Sequence, residues 1–286
     1  MADGGALCRS ETQHGQPGQR LTLANGDTAW VALQGAHVVS WRAAQRERLY
    51  LSPRNQWDGH TAIRGGVPVC FPQFNQRGSL PKHGFARNRA WAVGPSAVQD
   101  DKVTQDLVLA SSPETHALWP QKFEATLRVT LVPGELTVTL RVHNTDDKPL
   151  EFSGALHTYL AVDQIAQVRL TGLQGQAEWD ALRDHHGSAS TDLQFGGEFD
   201  RVYAAAPAPL HLHDGANPPL AIRQSASWAH SVVWNPGREK CAAMADVPDD
   251  GYVHFVCVEA AQVMSPITVP VAGNWQGWQR LSVVGD

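Results

Sequence analysis

Leu127-Arg128-Val129-Thr130-Leu131-Val132-Pro133-Gly134-Glu135-Leu136-Thr137-Val138-Thr139-Leu140-Arg141-Val142 is the stretch that decides the fold. Leu127, Val129 and Leu131 alternate with polar residues, and so do Leu136, Val138, Leu140 and Val142. A period of two puts every second side chain on one face, which is the signature of a strand buried on one side. Pro133 and Gly134 separate the two runs. Proline cannot donate to a strand ladder and glycine takes turn conformations freely, so the stretch predicts a β-hairpin.

The same pattern spreads outward. Strands are predicted over 28–34, 36–43, 152–161, 166–172, 219–224, 230–235, 252–261 and 278–284. Short strands at turn-separated intervals predict an all-β chain, a large β-sandwich or a barrel. Helical periodicity is weak, and one short helix is expected between Glu239 and Val247. There is no internal repeat and no separating linker. The polar, Gly/Gln-rich residues 1–20 read as a flexible N-terminal segment, and 21–286 as a single domain. The segment 64–89 is rich in glycine, proline and basic residues and reads as a long structured loop, anchored by Phe71, Phe74 and Phe85. Such loops on a rigid scaffold commonly carry function.

The 286 residues are 42% hydrophobic and 18% charged, enough to bury a large core. A net charge of −5 and a pI near 6.2 argue against a nucleic-acid partner, since there is neither a basic balance nor a long basic stripe. They leave room for a small anion held by a few local arginines and lysines. Cys8, Cys70, Cys241 and Cys257 form no C-x-x-C motif, and Cys70 and Cys257 lie in apolar runs as expected of buried thiols. No secretory signal and no apolar run of about 18 residues is seen, so a cytoplasmic location without membrane contact is expected. Without a coiled coil or an amphipathic helix, a monomer is expected.

Three groups of residues could carry chemistry. In Phe255-Val256-Cys257-Val258-Glu259-Ala260-Ala261, alternation puts Phe255, Cys257 and Glu259 on one face. A carboxylate there is desolvated, which raises its pKa toward that of a useful base. A strand-end glutamate that reaches water or pairs with an arginine would give the same pattern. In Ala155-Leu156-His157-Thr158-Tyr159, His157 is a candidate acid that Tyr159 could orient. The pattern alone fits a core histidine bonded to a backbone carbonyl better. In the loop, Arg64, Lys82 and Arg87 stand beside Gly65, Gly66 and Gly84. Cations beside glycines can grip an anion, the glycines allowing close backbone approach, although a solvated surface loop looks alike. His185-His186 and His211-x-His213 lack a third ligand at a typical spacing, so no metal site is predicted.

At these residues the chain resembles the aldose 1-epimerase superfamily, in its hexose-6-phosphate mutarotase branch. The matching segments are Arg64-Gly65-Gly66-Val67-Pro68-Val69-Cys70-Phe71-Pro72, Leu80-Pro81-Lys82-His83-Gly84-Phe85-Ala86-Arg87-Asn88 and Ala155-Leu156-His157-Thr158-Tyr159. Asp200-Arg201-Val202-Tyr203, Val233-Trp234-Asn235-Pro236 and Val256-Cys257-Val258-Glu259 follow in family order. The resemblance implies a galactose-mutarotase-like supersandwich. It implies His157 as general acid and Glu259 as general base, with Arg64, Lys82 and Arg87 on a sugar phosphate. It further implies that Asp200 holds a substrate hydroxyl and that His83 lines the same cleft. No cofactor is implied, and the expected partner is a small hexose phosphate. The sequence departs from the pattern at Lys82, where a glutamine or small residue is expected, and at Val271-Ala272-Gly273-Asn274-Trp275, where a Pro-Gly turn is expected.

Two rival readings share these features: an aldose 1-epimerase acting on neutral sugars, and a non-catalytic carbohydrate-binding sandwich. The ten tryptophans include Trp30, Trp41 and Trp234 in expected strands; most belong in a core, and one could stack on a sugar. A buried Glu259 close to His157, one on either side of a sugar-sized cleft, would favour an enzyme.

Overall fold

A computed structural model describes residues 5–285. The hairpin stands at its centre: strands Phe123–Val132 and Glu135–Asn144 pair with Leu127 opposite Leu140, Val129 opposite Val138 and Leu131 opposite Leu136. These apolar side chains are all buried on one face, as their alternation requires.

Around the hairpin the chain builds a nine-stranded sheet, which faces an eight-stranded sheet across the main core. Strand Asn274–Val283 lies against Glu135–Asn144 in the first sheet, and strand Phe255–Val269 runs through the second. Val256, Val258 and Ala260 enter the main core, while Phe255, Cys257 and Glu259 face the other side. The sheet therefore shows an apolar underside to the core and keeps its opposite face for a site. A buried polar bridge ties the layers together: the Thr158 hydroxyl donates to Gln279 Oε1, and Gln279 Nε2 donates to the Val258 carbonyl at 2.9 Å.

The expected flexible segment over 1–20 is corrected from residue 7 onward. Strands Leu7–Gln13 and Gln16–Thr22 open a third, five-stranded sheet that continues through Thr28–Ala32, His37–Ala43 and Arg46–Glu47. Residues 1–4 of that expectation lie outside the described residues. Leu21, Ala29, Val31 and Trp41 of this sheet join the main core. The expected strand 152–161 is two, Leu150–Leu156 and Tyr159–Ala161, interrupted at His157 and Thr158. Strand 252–261 begins at Phe255 and runs to Val269, after a short 3-10 turn at Gly251–His254. The expected helix sits slightly earlier, at Gly237–Ala242, and a second short helix, Pro113–Leu118, is capped by Ser112. At the unusual segment after Val269, Gly273 N donates to the Pro270 carbonyl, and the turn carries the chain from one sheet to the other.

The loop 64–89 is held by backbone rather than by a sheet of its own. Its regular parts are the two-residue strand Val69–Cys70 and the 3-10 turn Ala86–Asn88. Gly84 has φ +71, and a Cβ there would lie 2.2 Å from the Phe71 carbonyl oxygen. Gly66 has φ +61, and its Cβ would meet the Val38 carbonyl at the same distance. These glycines serve close packing of protein on protein, not close approach to an anion.

Candidate active site

Register builds the floor of the site. In the eight-stranded sheet Trp179 lies opposite Val202, Val202 opposite Val232, and Val232 opposite Glu259. The next row runs Asp200, Trp234, Cys257, Tyr159. Leu156 opposite Ala260 and Tyr159 opposite Cys257 leave His157 facing Glu259 across two neighbouring strands. Directly opposed residues share a face and lie within side-chain reach. His157 Nε2 is 3.3 Å from Glu259 Oε1. The two groups thus touch on one side of the cleft and do not flank it.

Both are buried: Glu259 is 1% exposed and His157 7%. Burial pushes the Glu259 carboxyl well above the ordinary carboxylate range; Asp200 adds to the push and Lys82 opposes it. Burial holds His157 well below the usual imidazole value, and its neighbours His83, Arg64 and Arg87 push in the same direction. Both directions favour a neutral acid beside a neutral imidazole, a pair that shares one proton. Glu259 Oε2 and His157 Nδ1 are buried and have no hydrogen-bond partner among the described residues. Such atoms are costly unless a polar ligand engages them.

Tyr159 stacks on the His157 ring at 4.9 Å, nearly parallel, and Trp234 meets it edge-on at 6.0 Å. Tyr159 does not orient His157 through a hydrogen bond, as the sequence had suggested; its hydroxyl accepts from Arg64 Nη1 at 2.8 Å. His83 closes another side of the imidazole with its ring at 5.4 Å. Its Nδ1 accepts from the Asn75 backbone N–H at 3.2 Å, which leaves Nε2 as the donor. Desolvation and the neighbouring cations push the His83 pKa down to about 2.

The cleft has a volume of about 290 Å³. Arg64, Lys82, His83, Arg87, His157, Asp200 and Glu259, seven positions scattered along the chain, all line it. Arg64 is tied to Asp246 through Nε at 3.0 Å and Nη2 at 2.9 Å, which leaves two of its five N–H groups unassigned. Arg87 donates from Nη2 to the Lys82 carbonyl at 3.0 Å, and its buried Nε has no partner. Among the ion pairs of the described residues, neither Lys82 nor Arg87 takes part. Asp200 is half-buried, its carboxylate accepts no hydrogen bond among the described residues, and burial raises its pKa.

A family model described as aldose 1-epimerase matches residues 19–282. The chain belongs to the aldose 1-epimerase family. It is 37% identical over 275 residues to a protein of Cenchrus ciliaris named "Putative glucose-6-phosphate 1-epimerase", covering 92% of this chain and 84% of that one. A protein of the same name from Escherichia coli is 38% identical over 242 residues, covering 80% of this chain and 78% of that one. Among solved structures, a mutarotase-titled protein from Salmonella typhimurium superposes with a TM-score of 0.89 at 30% identity, over 98% of this chain and 94% of that one. A galactose mutarotase-like protein from Clostridium acetobutylicum, 14% identical, superposes at 0.76 over 99% of each chain and shares the fold. The all-β sandwich expected from the sequence is the galactose mutarotase-like fold of this epimerase family.

Sequence reasoning missed several residues of the epimerase-family cleft. Asn75, Gln76 and Arg77 sit inside the basic loop and were within reach of its composition, whereas Trp179 and Lys240 carry no local signal. Arg77 lies over the Trp179 ring at 5.1 Å at the end of the floor away from Glu259. Of the three tryptophans expected in strands, Trp30 and Trp41 are core and Trp234 lines the cleft. Among the described residues no helix is long and apolar enough to cross a membrane, and no cluster of three His, Cys, Asp or Glu is placed to hold a metal.

Proposed function

We propose that the protein is a hexose-6-phosphate mutarotase, interconverting the α and β anomers of glucose 6-phosphate and similar hexose 6-phosphates. The observation that carries this reading is one cleft holding both a buried His157–Glu259 pair and two cations, Lys82 and Arg87, that pair with no carboxylate among the described residues. The names of the relatives in the plant and in Escherichia coli support it.

Anomer exchange requires the C1–O5 bond to open. Glu259, as carboxylate, takes the proton from the C1 hydroxyl. The O1 electron pair forms the C1 carbonyl, and the C1–O5 pair leaves on O5, which takes a proton from the His157 imidazolium. The carboxylate and imidazolium contain the same number of protons as the neutral pair. The 3.3 Å contact lets one proton pass between them, so a desolvated pair can supply the charged forms when the polar sugar arrives. Half a turn about C1–C2 presents the other carbonyl face, and the reverse steps close the ring. Asp200 accepts from a sugar hydroxyl, Trp234 walls the ring, and Arg64, Lys82 and Arg87 take the phosphate, with His83 beside it.

The test is anomer exchange followed by NMR for glucose 6-phosphate and for glucose. The phosphosugar is expected to exchange faster by at least tenfold. His157→Ala and Glu259→Ala should each lose on the order of 10²–10⁴-fold in rate. Arg87→Ala should raise KM for the phosphosugar. Equal rates for the two sugars would assign a neutral-sugar aldose 1-epimerase. Binding without acceleration of either sugar would assign a carbohydrate-binding module.

A further inference from the structure

Between strand His230–Asn235 and the turn at Gly251–His254 the chain leaves the sheet, and this excursion carries one charged residue into the cleft lining and a second onto a residue that lines it. Asp246 holds Arg64, as described above. Lys240, on the short helix Gly237–Ala242, lines the cleft alongside Arg64, Lys82 and Arg87. Its Nζ lies 2.6 Å from Glu198 Oε1. Both side chains are substantially open to water, 44% and 35% exposed, in contrast to the buried pair on the floor.

Helix and partner loop are fixed against each other by backbone. Gly237 has φ +62, and a Cβ on it would lie 2.5 Å from the Glu198 backbone nitrogen. The Lys240 stem therefore rises from a set position, and only its flexible end chooses a partner. Lys240 is the foremost of the cations acting on Lys82 and the foremost charge holding Asp200 down. The ammonium thus acts on both Lys82 and Asp200, which line the same cleft, and a phosphate entering there would meet its field.

We propose that Lys240 is a further anion-binding residue of this site, and that Glu198 is an internal anion which the substrate phosphate displaces from it. The inference rests on the phosphosugar reading above. An exposed ion pair contributes little, so exchanging a singly charged carboxylate for a phosphate dianion is favourable. Lys240 and Lys82 then close on the phosphate from the excursion and from the loop, while Arg64 and Arg87 hold it from the remaining side. Glu198 gives selectivity: a neutral sugar offers nothing to draw Lys240 away.

The two partners make opposite predictions. Lys240→Gln should raise KM for glucose 6-phosphate about tenfold, with the loss falling on KM rather than kcat. The inhibition constant of inorganic phosphate should rise by a similar factor. Glu198→Gln should lower both, by about twofold to threefold, because the competing carboxylate is gone. A merely structural ion pair would instead make both variants shift Tm in the same direction and leave KM alone. A phosphate-selective wild type whose KM is unmoved by Lys240→Gln, or weakened by Glu198→Gln, overturns this inference alone. A wild type that exchanges glucose as fast as glucose 6-phosphate overturns the phosphosugar reading and the inference with it.

Discussion

Glu259 is the sole charged residue between Phe255 and Val263, and His157 is the residue it faces. Their environment displaces the two pKa values in opposite directions, which fixes the form of the pH profile. The pair works while it holds one proton. A second proton must go onto an imidazole that burial holds well below 6.5, and the last proton must leave a carboxyl that burial holds well above 4.5. At saturating glucose 6-phosphate, kcat is therefore expected to stay on its plateau as pH falls through 6.5, with the acid limb appearing only below that. Reading kcat rather than kcat/KM keeps the phosphate's own ionisation, near pH 6, out of the profile. A limb with its midpoint at an ordinary histidine value would show that the active imidazole is solvated. Glu259 also makes a stability prediction. A raised pKa in the fold means stability that is present below about 4.5 and lost as pH rises through the raised value. Glu259→Gln keeps the shape without the ionisation, so its Tm should exceed that of the wild type by a margin that grows with pH. A constant or shrinking margin in thermal unfolding scans would contradict the buried, proton-holding carboxyl.

At the scale of elements, the hairpin and the strands carrying Glu259 and Trp234 were legible because each buries one face or both. Strand Ala92–Gln99 was not, since it is exposed along nearly its whole length and therefore lacks the alternation that betrays a strand. Leu7–Gln13 and Gln16–Thr22 fail in the same way, with few apolar residues and a half-buried pattern. The basic loop was legible as a functional loop, but the role of its glycines was not. Gly84 is glycine because the chain passes against Phe71 and Pro72. Gly84→Ala should cost on the order of 2–3 kcal/mol in urea unfolding. It should also raise KM for the phosphosugar, because Lys82, His83 and Arg87 lie within three residues of the clash. An alanine variant with unchanged stability would mean that the loop backbone has slack the structure does not show.

At the scale of the molecule, three buried imidazoles set an acid limit to stability. His37 joins the N-terminal sheet to the cleft loop, its Nε2 donating to the Gly65 carbonyl at 2.7 Å, and burial lowers its pKa to about 4. His83 and His157 are lowered by the same cause. The folded chain keeps these rings neutral where the unfolded chain protonates them near 6.5. A depressed pKa means stability that is present above 6.5 and lost as pH falls through the folded value. For His37 alone the loss approaches about 3 kcal/mol by pH 4. Chemical unfolding at graded pH should show ΔG declining from pH 6.5 downward, before carboxylates with ordinary pKa values begin to titrate. His37→Gln should make that decline shallower; an equal slope in the variant would remove His37 from the account.

The sequence by itself determined the all-β character, the central hairpin, the strand that sets Phe255, Cys257 and Glu259 on one face, and the basic loop as a place where an anion could be met. Each of these rests on local physics: period-two burial, turn residues, and charge close along the chain. Only the tertiary structure decided that His157 faces Glu259, because that follows from which strand pairs with which, and in what register, across a hundred residues. It also decided that the Tyr159 hydroxyl serves Arg64 and not His157, that Asp246 holds Arg64, and that Trp179 and Lys240 line the cleft. Contacts between distant segments are selected by the packing of whole sheets, and no periodicity within one segment encodes its partner.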